Sequence, residues 1–237
     1  MIRSLHLAKN RQKYNKYIAE GDKICKELLI SNSPDVQYIV GTEKWYTQNK
    51  EYCKYGKFEC IVTEIDDLKK VSQLSTTSEV LIVADKKVVK VGSTPDFSLY
   101  LDGIQNPGNM GAILRIADWY GIKLIYTSQD CVDIYNAKVI QASMGSFIRV
   151  STVTIDLESL KQSIQATVWG ASLKGELEFT KAAGKNLLVI GNEGRGIRDY
   201  NLVHIDKEIK ISAESSLGAE SLNAAVATGI LCDRFLK

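Results

Sequence analysis

The 237 residues are 45% hydrophobic and 24% charged with a formal net charge of +2, a composition that suits packed globular domains and excludes fibrous repeats and wholesale disorder. No apolar run approaches the roughly eighteen residues that span a bilayer. Met1-Ile2-Arg3-Ser4 leads into charge rather than a secretory apolar stretch, so a cytoplasmic protein with no membrane partner is expected.

From Leu5 to Leu29, Tyr17, Ile18, Ile24, Cys25, Leu28 and Leu29 recur at helical spacing, which predicts a helix, and Val36–Val40 then reads as a strand. Glu43–Lys50 follows as a helix, Glu59–Val62 as a short strand, Asp66–Leu74 as a helix and Val80–Ala84 as a strand. This alternation predicts a small α/β domain. The turn residues Gly92, Ser93, Thr94 and Pro95 mark a linker, which divides the chain into residues 1–91 and 92–237. The stretch Met1–Lys26 carries Arg3, Lys9, Arg11, Lys13, Lys16, Lys23 and Lys26 against Glu20 and Asp22. It fits a solvated face as well as a phosphate-contacting patch, and Tyr14 and Tyr17 within it fit half-buried helix positions as well as base stacking.

Beyond the linker, strands at Phe97–Leu101, Lys123–Tyr126, Ile148–Val153, Thr167–Ala171, Leu187–Ile190 and Glu208–Ile211 alternate with helical stretches such as Asn109–Trp119. Strands this apolar imply a largely parallel sheet covered on both faces, with ligands bound at its carboxyl edge.

Several chemistries lack their residues. Cys25, Cys53, Cys60, Cys131 and Cys232 show no C-x-x-C spacing, and His6 and His204 stand far apart, so neither a metal site nor a histidine triad is expected. No P-loop or dinucleotide fingerprint is present. The carboxyl-edge loops hold other residues: Asn106-Pro107-Gly108-Asn109-Met110-Gly111-Ala112-Ile113-Leu114-Arg115 after the first strand of the second domain, Ile190-Gly191-Asn192-Glu193-Gly194-Arg195-Gly196 after a later one, and Ser221-Leu222-Asn223 before a final apolar helix. Physically, Asn109, Ser221 and Asn223 are also good helix caps, Arg115 suits a surface salt bridge and Glu193 a solvated turn.

Together, in this order, the stretches resemble the three motifs of the SpoU (TrmH) family of RNA ribose 2′-O-methyltransferases, within the SPOUT superfamily, over Phe97 to the end. The N-terminal part is similar to the family's substrate-binding domain, whose E-G motif matches Glu20-Gly21. The resemblance implies an α/β protein whose C-terminal, trefoil-knotted, parallel-sheet SPOUT methyltransferase domain is preceded by a small α/β RNA-binding domain. The knot is an exception to the rule against threaded chains. It further implies S-adenosylmethionine as cofactor, held near Gly191, Ile211 and Leu222, a catalytic set of Asn109, Arg115, Glu193, Ser221 and Asn223, and a homodimer with the motif-one helix near the interface. Ribosomal RNA is the favoured substrate; transfer RNA, or a non-catalytic RNA-binding role, is the alternative. One departure stands out: the family's Ile-Pro-Met is here Ile211-Ser212-Ala213, followed by a loop about two residues longer than usual, which bears on the contacts around Ile211 and Leu222.

Overall fold

The computed structural model describes residues 2–31, 35–54, 57–89, 95–177, 180–213 and 221–237. Packing divides the chain into two compact units, the first taking the chain as far as Val88 together with Asp133–Ile148, the second taking the remainder.

The first unit begins with α1 (Ala8–Tyr14), β1 (Lys16–Glu20), α2 (Asp22–Ile30) and β2 (Val36–Gly41). It continues through α3 (Glu43–Gln48), β3 (Glu59–Val62), α4 (Ile65–Val71) and β4 (Val80–Asp85). The helix expected over Leu5–Leu29 is thus two helices with a strand between them. Asn15 ends α1 in the left-handed region at φ 52°, and Gly21, at φ 103°, takes a conformation that only glycine adopts without strain. Tyr17 and Ile18, aromatic and β-branched, suit the strand between these two breaks. There Ile18 sits opposite Val83 in an antiparallel ladder. The sheet order is β1-β4-β2-β3, with β4 antiparallel to both its neighbours and β3 parallel to β2. Val80–Ala84 are all buried, so this central strand shows no polar alternation. Leu5, Ile18, Val40, Leu68, Leu81 and Val83 form one core cluster, each large aliphatic side chain contributing about 1.5–3 kcal/mol by its burial.

The second unit holds β5 (Phe97–Leu101), α5 (Pro107–Trp119) and β6 (Leu124–Thr127). The chain next forms α6 (Ala137–Ser143), which belongs to the first unit. It then completes the second with β7 (Ser151–Thr154), α7 (Leu157–Ile164), β8 (Thr167–Glu176), β9 (Asn186–Ile190), α8 (Asp199–Leu202), β10 (Lys207–Ile209) and α9 (Ala224–Leu236). Strand order is β10-β8-β9-β5-β6-β7, and every pairing is parallel. Each position of β5 and β9 is buried, as the apolar runs required. Tyr100, Leu187 and Val189 pack on Leu157, Leu160 and Ile164 of α7. Phe235 of α9 meets Phe97 at 5.0 Å and Trp169 at 5.6 Å. The chain runs outward from β5 to β7 and returns at β8 and β9, so β5 and β9 flank the point where strand order reverses, the usual ligand crevice of such sheets. Residues 214–220, inside the expected cofactor loop from Ile211 to Leu222, lie outside the described residues, as do the linker residues 90–94. Among the described residues no helix is long and apolar enough to cross a membrane.

Asp133–Ile148 is built into the first unit by specific bonds. Arg11, 3% exposed, donates from Nε to Asp133 Oδ2 at 2.7 Å and from Nη1 to the carbonyls of Leu5 and His6 at 3.0 and 2.9 Å. Tyr17 stacks on Tyr135 at 4.5 Å and meets Phe147 edge-on at 5.8 Å. The Gln141 amide donates to the Glu20 carbonyl at 2.7 Å. Arg11 of the basic run is therefore buried with its charge matched, and Tyr17 within the same stretch is a core residue, so neither is available to RNA. Lys16 and Lys26 pair with Asp85 and Asp22, leaving Arg3, Lys9, Lys13 and Lys23 exposed.

Candidate active site

The motif-one helix is capped by Asn106, whose Oδ1 accepts from the backbone N–H groups of Gly108 at 2.8 Å and Asn109 at 3.3 Å, with Pro107 preset for the first helical position. That relieves Asn109 of the capping role. Its side chain, on a residue only 8% exposed, turns to two other loops. Nδ2 donates to Glu193 Oε1 at 2.5 Å, and Oδ1 accepts from Asn223 Nδ2 at 2.8 Å. Asn223 also caps α9, its Oδ1 accepting from Ala225 N at 2.9 Å and Val226 N at 3.4 Å. One amide thus joins all three motif stretches.

The loop after β9 is shaped by its own backbone. Asn192 and Gly196 exchange N–H···O=C bonds at 3.0 and 2.9 Å. Asn192 Oδ1 accepts from Gly194 N at 3.0 Å and Arg195 N at 3.2 Å, and its Nδ2 donates to the Gly103 carbonyl at 2.8 Å. The fold-back brings Gly196 and Ile197 so near Gly191 that a Cβ there would lie 2.2 Å from Gly196 C and 2.3 Å from Ile197 N. Gly191 is therefore required by the loop itself.

A second constellation lies beside it. Asp102, fully buried at the end of β5, accepts from Arg198 N at 2.9 Å and Nε at 2.7 Å, and from Nη2. Arg198 Nη1 also pairs with Asp130 at 3.0 Å. Burial alone would lower the Arg198 pKa, but bonding and charge attraction to Asp102, then the charge of Asp130, reverse this and raise it. For Asp130, burial opposes ionisation, while the Ser128 hydroxyl, backbone bonding and Arg198 more than offset it and hold the carboxyl below its usual range. Ser128 Oγ in turn accepts from Gly103 N at 2.9 Å. Sequence reasoning did not single out Asp102, Asn192 or Arg198; an aspartate ending a largely apolar strand was the available signal for the first.

The remaining expected residues are placed less tightly. Arg115 lies further along α5, exposed, and makes no hydrogen bond or ion pair among the described residues. Ser221 and Leu222 are exposed and Ile211 is half-buried, at the two edges of residues 214–220. The loop after β9 offers backbone polar groups around Gly191 and the Glu193 carboxylate, chemistry that fits a cationic sulfonium.

An all-parallel sheet with three motif loops joined at its strand-order reversal defines the class as an open α/β domain with its ligand site at the carboxyl edge of the sheet. The chain belongs to the SpoU rRNA Methylase family, whose model matches residues 96–233, while residues 1–82 match the MRM3-like substrate binding domain. It is 26% identical over 234 residues to the Bacillus subtilis 23S rRNA (guanosine(2553)-2′-O)-methyltransferase RlmP, covering 97% of this chain and 92% of that one. Escherichia coli 23S rRNA (guanosine-2′-O-)-methyltransferase RlmB is 34% identical over 143 residues, 56% of this chain and 57% of its own length. A solved TrmH-family structure from Porphyromonas gingivalis superposes with a TM-score of 0.85 at 32% identity, covering 99% of this chain and 94% of that one.

Proposed function

We propose that this protein methylates a ribose 2′-hydroxyl of ribosomal RNA, with residues 1–91 binding RNA and residues 92–237 carrying the chemistry. The observation that carries the reading is the Asn223–Asn109–Glu193 chain, in which side chains from three separated stretches meet through one buried amide. S-adenosylmethionine, held near Gly191, Ile211 and Leu222, supplies an electrophilic methyl group on a sulfonium whose thioether departs neutral, so no general acid is needed. The protein's task is then to orient the 2′-oxygen and favour negative charge on it.

Asn109 and Glu193 offer fixed polar groups beside the reaction centre. Arg115 is poorly suited to act as a base, because a guanidinium stays protonated at neutral pH. Its unengaged planar fork instead suits bidentate grip of the phosphate next to the target ribose, which draws charge onto the 2′-oxygen while its proton passes to phosphate or water. Ser221 and Asn223 shape the cofactor and substrate pocket, as the family's third motif implies. The enzyme works as a homodimer in the cytoplasm, with the α5–α9 face at the interface; Trp119 of α5, 85% exposed, and Val226 of α9, 50% exposed, supply apolar surface for it.

The test is a comparison of 2′-O-methyl positions in ribosomal RNA from cells with and without the gene, followed by transfer of labelled methyl to that unmodified RNA by the purified protein. One lost site restored in vitro is the expected result. Unchanged ribosomal RNA together with a lost site in transfer RNA would overturn the substrate assignment.

A further inference from the structure

Each guanidinium nitrogen of Arg198 faces a carboxylate. Two carboxylates from different strand ends, Asp102 after β5 and Asp130 after β6, fix its guanidinium plane and leave it unsuited to gripping a phosphate. Its guanidinium carbon lies over the ring of Tyr200, in the first turn of α8, 4.9 Å from the ring centroid. Tyr200 is nonetheless 61% exposed. One side of the aromatic ring is backed by a cation while much of the ring still meets water.

The same loops carry the candidate active site. Asp102 precedes Gly103, whose carbonyl accepts from Asn192, and Asn192 precedes Glu193, the partner of Asn109. Arg195, in that same loop, is exposed and has no ion pair among the described residues, so a phosphate partner is available to it.

We propose that Tyr200 is a stacking platform for an unpaired nucleobase of the RNA substrate, close to the nucleotide that receives the methyl group. Nucleobases are recognised in single strands by flat aromatic faces, whatever their sequence. An arginine held by two carboxylates gives one face of the ring a cation–π contact, and the ring keeps a largely exposed surface on which a base can stack. Because Asp102 and Arg198 also brace the motif-one and motif-two loops, a base on Tyr200 would sit in a fixed relation to Asn109 and Glu193. This subsite rests on the RNA-methyltransferase reading.

Binding of transcribed, unmodified ribosomal RNA to the full-length protein saturated with S-adenosylhomocysteine tests it, alongside steady-state methyl transfer. Tyr200→Ala and Tyr200→Leu should raise the RNA Kd and the KM for RNA by roughly 5- to 100-fold, the range for one lost base stack. Tyr200→Phe, which keeps the ring, should restore both to within about twofold, and kcat should fall less than KM rises. Melting temperatures should match across the series, since the side chain is largely exposed. Wild-type RNA affinity in Tyr200→Leu would overturn the proposal, as would a loss that accompanies a changed oligomeric state in sedimentation, which would make the ring a protein contact. Binding is read without turnover, so a wild-type protein that binds RNA but transfers no methyl group refutes the proposed function while the Tyr200 variants still decide this subsite.

Discussion

Asn109 and Asn106 stand three positions apart in one motif, and the structure assigns them different work. Asn106→Ala removes a cap and should cost about 1 kcal/mol of stability with a modest effect on turnover. Asn109→Ala removes the amide that joins Glu193 and Asn223. We expect a similar loss of stability, about 1 kcal/mol, but a fall in kcat of about 10²- to 10³-fold; paired melting curves and methyl-transfer assays separate the two. Arg115 gives a sharper contrast. If it grips phosphate as a planar fork, Arg115→Lys should be nearly as inactive as Arg115→Ala, about 10²- to 10³-fold down, with unchanged melting and cofactor affinity. A folded Arg115→Ala protein with near-full activity would remove it from the site.

The loop after β9 depends on a backbone approach that no side chain can share. At Gly191 a Cβ would lie within 2.5 Å of backbone atoms of Gly196 and Ile197, neither of which is a flexible side-chain end. Gly191→Ala should therefore destabilise the second unit by about 1–3 kcal/mol or more and weaken S-adenosylmethionine binding, read by calorimetry. Gly184, with φ 82° and nothing within 4 Å of its Cβ position, is the control for φ strain without a clash. Its alanine variant should lose less and leave cofactor binding intact. The strand β1 makes the opposite point about legibility. Its helical spacing misled because α1 and α2 lie on either side of it, and only the αL turn at Asn15 and the φ of Gly21 show where helix gives way to strand.

At the scale of the whole molecule, Asp133–Ile148 binds the first unit to a segment that the sequence reading assigned to the second domain. A fragment of residues 92–237 would expose Tyr135 and Phe147 and leave Asp133 without Arg11. We expect it to melt lower than the full chain, and to aggregate unless Tyr135 and Phe147 are replaced by polar residues. Exposed charge on the first unit supplies a separate prediction. Reversal of Lys9, Lys13 and Lys23 should weaken RNA binding and flatten its salt dependence through reduced counterion release, measured by titration at several ionic strengths, with cofactor affinity unchanged. Arg11→Met instead leaves a largely buried carboxylate unpaired and should lower stability. A melting shift without a changed salt slope would distinguish it from the lysines.

The sequence by itself determined that there are two α/β parts, that the second holds a buried parallel sheet, and which three loops carry the motifs. These features follow from local rules: an apolar run of strand length, a cap before a helix, a glycine where the backbone must turn. It did not determine which motif residues touch. Asn109, Glu193 and Asn223 lie 84 and 114 residues apart in pairs, and only the strand order that sets β5 beside β9 brings the first two together. The fate of each charge was equally undecided. Arg11 and Arg198 look like Lys13 and Arg115 in the chain, yet the first two are spent on Asp133, Asp102 and Asp130, because burial of a guanidinium requires a carboxylate that a distant segment must supply.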